Sequence, residues 1–303
     1  MPQQQFTLEC FQAEIPNFGD DLNAWLWPQL FPGAFAAGAV DRFIGIGSIL
    51  DGRYQSAPGR TIVFGTGARG AASVPRLDRS WDVRFVRGPR TAAAMGLPMS
   101  TAVGDGALAL KLVRPANAPR CRGGVGIMPH FRSMGSLDWQ RVADLAGLVL
   151  IDPRGRPDVV VDQIAGLEGL LAEAMHGAIV ADLYRTPWVR VTCISRLREG
   201  PTADFKWYDW AEALGADATP LHVAPPPAVM RRTLRLAMRV ALPVSEMRIA
   251  RQLAAAAEAA PFRLSPVHRL DAAVRTIEAH VDRLRAELGY GEPAAATVAA
   301  AEA

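Results

Sequence analysis

The segment Asn17-Phe18-Gly19-Asp20-Asp21-Leu22-Asn23 gathers carboxylates, amides and a glycine after an apolar run and ahead of the amphipathic spacing Leu22, Trp25, Leu26 and Leu30. A glycine lets a ligand approach the backbone, a helix start presents free amide donors, and Asn and Asp side chains bind sugar-like hydroxyls or take a proton. Asn17, Gly19 and Asn23 are therefore candidate binding residues and Asp20 a candidate base. The residues leave a second role open for Asp20, that of a helix N-cap worth about 1 kcal/mol.

Gly45-Ile46-Gly47-Ser48 and Gly65-Thr66-Gly67-Ala68-Arg69-Gly70 close two further apolar runs. The second has the spacing of a dinucleotide fingerprint, but Pro75 falls where the crossover helix should run, which argues against NAD. Tight turns at a sheet edge are the simpler reading, with Gly47, Ser48 and Gly67 beside a substrate. In Arg87-Gly88-Pro89-Arg90 both arginines flank a helix start whose positive potential favours an anion. Gly104-Asp105-Gly106 is an acidic turn that either meets substrate or shapes its loop. In the second half, Pro129-His130-Phe131-Arg132, Asp152-Pro153-Arg154 and Glu173-Ala174-Met175-His176-Gly177 each place ionisable groups after an apolar run. No pair has metal-ligand spacing and no G-x-S-x-G elbow occurs, so neither a metal centre nor a serine hydrolase is expected.

The elements that must hold these groups are short strands. Phe6 to Phe11, Arg42 to Ile46, Thr61 to Phe64, Val83 to Val86, Val125 to Met128, Leu148 to Ile151 and Trp188 to Val191 each end at a glycine- or proline-containing stretch and precede helix-compatible sequence. That alternation predicts an α/β chain with parallel sheets, whose carboxyl edge is where ligands bind. A Pro- and Gly-rich stretch from Arg114 to Gly124 separates two such units, and Ala224-Pro225-Pro226-Pro227 opens a helical tail. The predicted bounds are 1–118, 119–223 and 224–303. In the tail, Met230, Leu234, Ala237, Met238 and Ala241 oppose Arg231, Arg232, Arg235 and Arg239. Pro243 is expected to interrupt this helix, with Ser245 capping a restart. A last helix capped at Ser265-Pro266 carries Val267, Leu270, Val274, Ile277, Val281, Leu284 and Leu288 in heptad steps and ends at Gly289; the stretch from Pro293 to Ala303 is expected to be disordered. Two partners are open to its seam: a second copy, giving a homodimer, or the first sheet. The arginine face suits an anionic inner membrane, or is a solvated surface.

Composition bounds the function. With 303 residues, 50% of them hydrophobic, the chain has material for about two domains. The formal charge of +3 is too small a surplus to argue for nucleic acid. All but Lys111 and Lys206 of the 33 cations are arginine, which suits carboxylate and phosphate ligands. Cys10, Cys121 and Cys193 lack ligand or disulfide spacing and fit a reducing compartment. The start Met1-Pro2-Gln3-Gln4-Gln5 does not read as a secretory signal, and the uncharged run from Ala24 to Val40 is short of the roughly 20 residues of a spanning helix. A cytoplasmic protein is expected, with the tail allowing peripheral attachment to the inner face of the membrane.

In order, these segments, together with Phe64-Gly65-Thr66-Gly67 and Phe205-Lys206-Trp207-Tyr208, resemble the polysaccharide pyruvyl transferase family, especially its bacterial exopolysaccharide ketal-forming members. The resemblance covers roughly residues 6 to 215 and leaves the tail unmatched. It implies two Rossmann-like domains facing a cleft, as in GT-B glycosyltransferases, the first on the acceptor side and the second on the donor side. It also implies transfer of pyruvate from phosphoenolpyruvate, a co-substrate with no further cofactor, to two hydroxyls of a free or lipid-linked sugar. His176 then falls beside phosphoenolpyruvate as acid or phosphate partner, while Asp20 and Asn23 look toward the acceptor. Many relatives carry Arg where this chain has Ala174, so the candidates for the anion clamp are His130, Arg132, Arg154 and Lys206, and Glu173 is placed either to tune His176 or only to form a salt bridge. Competing readings are a sugar-nucleotide glycosyltransferase of the same fold and a noncatalytic glycan-binding relative, the latter suggested by Ala174.

Overall fold

A computed structural model describes residues 4–12, 14–55, 58–115, 123–194, 200–223 and 235–290. The connector between Arg114 and Gly124, the arginine-faced tail helix and the alanine-rich end fall largely or wholly outside them.

Two parallel sheets organise the chain. The first has four strands in the order β1 (Phe6–Glu9), β2 (Asp41–Ile44), β3 (Thr61–Phe64) and β4 (Trp81–Phe85). The second has five, in the order β6 (Val149–Leu150), β5 (Val125–Met128), β7 (Gly169–Ala172), β8 (Trp188–Thr192) and β9 (Leu221–His222). Every run expected as a strand supplies one. β7 is visible in the sequence only as the apolar run before Glu173, and β9 is too short to leave a pattern.

The expected alternation with helices holds after β1 and through the second sheet. There α1 (Phe18–Leu30), α4 (Trp139–Ala146), α5 (Pro157–Ala165), α6 (Met175–Leu183) and α7 (Pro201–Leu214) follow successive strands, while α2 (Pro89–Ala94) and α3 (Leu110–Val113) are short. It fails between β2, β3 and β4, which are joined through single 3₁₀ turns at Gly52–Tyr54 and Ala71–Ser73. The glycines and prolines of those connections leave no helical period.

A helix from the far end of the chain covers the first sheet instead. α9 (Val267–Glu287) buries Leu270, Ala273, Ile277, Val281 and Leu284 in the same core as Trp27, Phe43, Phe64 and Phe85. Its His280 ring stacks on Phe85 at 5.4 Å between centroids. Arg84 pairs with Glu287, and the Arg285 guanidinium donates to the Leu30 carbonyl. The heptad seam is thus seated on the first half of the chain.

α8 (Arg235–Ala259) corrects the expected interruption at Pro243, because the helix runs through it. Beyond the proline, Ile249, Ala250, Leu253 and Ala256 pack into the core of the second sheet, which offsets the missing N–H. Ser245 lies buried within the helix instead of capping one. Ser265 also makes no cap: its N–H and hydroxyl donate to the buried Asp182 carboxylate. Gly289, with φ of 76°, does end α9. Among the described residues no helix is long and apolar enough to cross a membrane.

The second sheet reverses its direction of growth between β5 and β7. At such a switch point the flanking crossovers leave on opposite faces and open a crevice at the carboxyl ends of the two strands. His130 follows β5, and Glu173 and His176 follow β7.

Candidate active site

A cleft at that crevice is lined from both halves of the chain. Asn17, Gly19, Asp20, Gly47 and Ser48 come from the first, and His130, Arg132, Ala174, His176 and Lys206 from the second. Phe11, Phe18, Ile49, Met128, Phe131 and Met175 supply its apolar wall.

The start of α1 makes one side. Asn17 is the N-cap residue, with extended backbone, and its amide N–H donates to Asp21 Oδ2 at 3.2 Å. Its side chain turns instead to Asp20, Nδ2 donating to Oδ2 at 2.5 Å. Asp20 is therefore not the cap. Burial pushes its carboxyl up to about 6, against the opposing effects of the Asn17 hydrogen bond, Lys206 and Arg132, and with a push from Asp21. A carboxyl so poised accepts a proton near neutral pH. The Phe18 N–H donates to the Pro153 carbonyl at 2.8 Å, tying this helix start to the second half.

His176, in the first turn of α6, faces it. Gly19 approaches so closely that a Cβ there would overlap the imidazole at Nδ1, so a residue without a side chain is required. Burial first, then Lys206 and Arg87, hold the His176 ring down to about 3, so it is neutral at ordinary pH. His130 is 6% exposed and caps the 3₁₀ turn Phe131–Ser136, its Nδ1 accepting from Arg132 N at 3.4 Å. Glu173 underpins this edge: Oε2 accepts from His130 N at 2.9 Å and Oε1 from Cys193 N at 3.1 Å. Through these two bonds it ties together the backbone that follows β5 and β8. Ala174 stands at the N-cap of α6 with no side-chain bond to the helix.

Several residues expected at the ligand are engaged elsewhere. Asn23 is fully buried and staples α1 to the end of β2, with Oδ1 accepting from Ile46 N at 2.8 Å and Trp27 Nε1 at 2.9 Å, and Nδ2 donating to Ile46 O at 3.0 Å. Gly67 lies beneath the Arg87 guanidinium, where a Cβ would overlap it. Arg87 is itself 0% exposed: Nε donates to Asp209 Oδ2 at 2.9 Å, and its other nitrogens to Gly47 O, Ser48 Oγ and Ala68 O. The anion expected at the start of α2 is this same Asp209, which also accepts from Thr91 N at 2.9 Å and Thr91 Oγ1 at 2.6 Å. Arg90 pairs with Glu212 and lies over the Tyr208 ring. Arg154 folds back onto Asp152 in a bidentate pair. Asp105 is fully buried and shapes its turn, Oδ1 accepting from Ala107 N at 2.9 Å, but it also comes within 3.9 Å of His176 Nε2.

The cleft adds two polar residues that the sequence did not single out, Arg69 and Thr202. Arg69 lies inside the glycine-rich stretch after β3, whose likeness to a dinucleotide fingerprint drew attention to its glycines. Thr202, second in α7, carries no local signal. Of the side chains expected to hold an anion, Arg132, Lys206 and His130 line the cleft and Arg154 does not. Among the described residues no cluster of three or more His, Cys, Asp or Glu is arranged to hold a metal ion.

Parallel sheets that gather acids, bases and cations around a cleft at their carboxyl ends make this an α/β protein whose cleft is the candidate ligand site. The chain is 35% identical over 220 residues to the succinoglycan biosynthesis protein ExoV of Rhizobium meliloti (strain 1021), an alignment that covers 70% of this chain and 66% of that protein. With the ordered motifs between residues 6 and 215, the chain belongs to the polysaccharide pyruvyl transferase family. No family model matches the chain, and no solved structure matches it.

Proposed function

We propose that the chain transfers pyruvate from phosphoenolpyruvate to two hydroxyls of a sugar in an exopolysaccharide repeat unit, forming a cyclic ketal and releasing phosphate. What carries this reading is one juxtaposition: Asp20 and His176 face each other across a cleft that Arg69, Arg132 and Lys206 also line. Phosphoenolpyruvate bears a carboxylate and a phosphate, and cationic side chains in a partly desolvated cleft stabilise both. On the family resemblance, these cations would take the place of an Arg that many members carry at the position of Ala174. On this reading the two sheets belong to two Rossmann-like domains facing the cleft in a GT-B-like arrangement.

In the first step Asp20 takes the proton of a sugar hydroxyl, whose oxygen bonds to C2 of phosphoenolpyruvate. His176, neutral at the start, delivers a proton from one ring nitrogen to the methylene carbon, which becomes the methyl group, while its other nitrogen takes up a proton so that the ring stays neutral. In the second step another hydroxyl of the same sugar bonds to C2 as the C2–O bond to phosphate breaks. The hydroxyl proton passes to the leaving phosphate or to solvent. Each acceptor gains one pyruvate less one water. An acceptor attached to lipid brings the reaction to the inner membrane face, which the arginines that the sequence places between 231 and 239 would suit.

The test is incubation of the purified protein with phosphoenolpyruvate and galactose-, glucose- or mannose-containing oligosaccharides, free and lipid-linked, following phosphate release and acceptor mass. Phosphate release with the matching mass gain is expected. Tight binding of a sugar nucleotide with no phosphate release from any acceptor would replace this reading with glycosyl transfer.

A further inference from the structure

Asp105 and His176 come from opposite halves of the chain and meet behind the cleft. Asp105 Oδ2 and His176 Nε2 are both buried, and neither has a hydrogen-bond partner. Asp105 Oδ1 lies 3.9 Å from Nε2. A buried polar atom left unpaired costs about 1–3 kcal/mol, and here a carboxyl and a ring nitrogen, which can satisfy one another, lie side by side. Nε2 is sealed from solvent, so Nδ1, against Gly19 of the cleft wall, is the ring nitrogen left to act on a ligand.

We propose that Asp105 is the positioning residue of His176, its carboxyl hydrogen-bonded to Nε2 so that the protonation of Asp105 dictates whether Nδ1 meets the cleft as a donor or as an acceptor. The inference rests on the reading of His176 as the acid of pyruvyl transfer. With Asp105 protonated, its O–H donates to Nε2 and the ring hydrogen is on Nδ1. With Asp105 ionised, Nε2–H donates to the carboxylate and Nδ1 carries a lone pair. The two states differ by one proton. Delivery of the Nδ1 proton to the methylene carbon, with the Asp105 proton moving to Nε2, converts the first state into the second without forming a buried imidazolium.

The surroundings favour this division. Burial raises Asp105 to about 7, Arg87 and the Ala107 N–H pull it down, and Asp209 pushes it up. Burial, Lys206 and Arg87 oppose a second proton on the ring. The pair therefore loses one proton near neutral pH, the Nδ1 hydrogen leaves, and the charge left behind sits on Asp105.

The experiment is a nitrogen-15 titration of the full chain over about pH 5 to 9, the range in which histidine tautomers are informative. His176→Gln assigns the His176 ring signals among the five histidines. In the wild-type chain the protonated nitrogen of His176 should change from Nδ1 to Nε2 as pH rises, with no doubly protonated ring. Asp105→Asn keeps an acceptor for the Ala107 N–H but cannot ionise, so the change should vanish, and kcat for phosphate release should fall about 100-fold with a smaller change in KM. His176 shifts and titration identical in wild type and Asp105→Asn, or a wild-type His176 that becomes an ordinary imidazolium, overturn the proposal. The wild-type titration needs no variant to fold and no turnover. A tautomer change in a chain that releases no phosphate would support the pairing while refuting pyruvyl transfer.

Discussion

The guanidinium of Arg87 and the carboxylate of Asp209, 122 residues apart, form an ion pair in which both side chains are 0% exposed. It joins the carboxyl end of the first sheet to α7, and through Ser48 and the Gly47 carbonyl it reaches the wall of the cleft. Removing one member of such a pair leaves an uncompensated buried charge, at a cost of about 3–5 kcal/mol. Arg87→Met should therefore lower the stability measured by denaturant unfolding by that amount. Arg87→Met with Asp209→Asn should recover part of the loss, because Thr91 still satisfies the amide; strict additivity of the two single variants would contradict the pairing.

Asp20 links stability to pH. Its folded value of about 6 lies above the usual 3.8, so between these values the folded chain binds more protons than the unfolded one. Stability contributed by the protonated carboxyl is complete below pH 3.8 and is lost as pH rises through 6. The shift corresponds to up to about 3 kcal/mol, less whatever local relaxation and solvent screening remove. Asp20→Asn, which still accepts from Asn17 Nδ2, should be more stable than the wild type at pH 7 and equal to it near pH 4, with phosphate release abolished. A stability difference independent of pH would remove the buried-carboxyl account.

Much of this architecture is legible in the sequence, because strands declare themselves by β-branched and aromatic runs that end at glycine or proline. The local character of such signals also sets their limit. Arg87, Arg90 and Arg154 each follow a strand and look like ligand cations. What diverts them is Asp209, Glu212 and Asp152, and two of those partners lie more than a hundred residues away. Asn23 has the side chain of a sugar binder, yet its hydrogen bonds close the β2 turn. His176 and Asp20, which line the cleft, could be picked out from their motifs, but not the meeting of His176 with Asp105, which depends on how the two halves pack. α9 shows the converse. Its heptads predict a seam correctly and are silent on what fills it.

Gly19 tests how closely the two walls of the cleft must approach. A Cβ at this position would overlap the His176 ring, and neither the start of α1 nor that of α6 can yield without moving Asp20 or His176. A displacement of about 1 Å in a catalytic pair costs on the order of 100-fold in rate. Gly19→Ala should reduce phosphate release by about that factor. Its unfolding midpoint should fall modestly, since alanine suits the helix better than glycine and offsets part of the strain. Wild-type turnover by Gly19→Ala would mean that His176 and the start of α1 do not work as facing walls.

Ile277 tests which partner the heptad seam serves. Its side chain is 0% exposed, packed within the core that holds Phe64 and Phe85. Truncation in such a setting removes buried apolar surface and leaves a cavity, at about 2–5 kcal/mol. Ile277→Ala should therefore lower the denaturation midpoint while leaving the elution volume of the native protein unchanged. The loss should not depend on protein concentration, because the seam is covered from within the chain. A variant that elutes as a smaller species, with a midpoint that rises with concentration, would show instead that this face joins two copies.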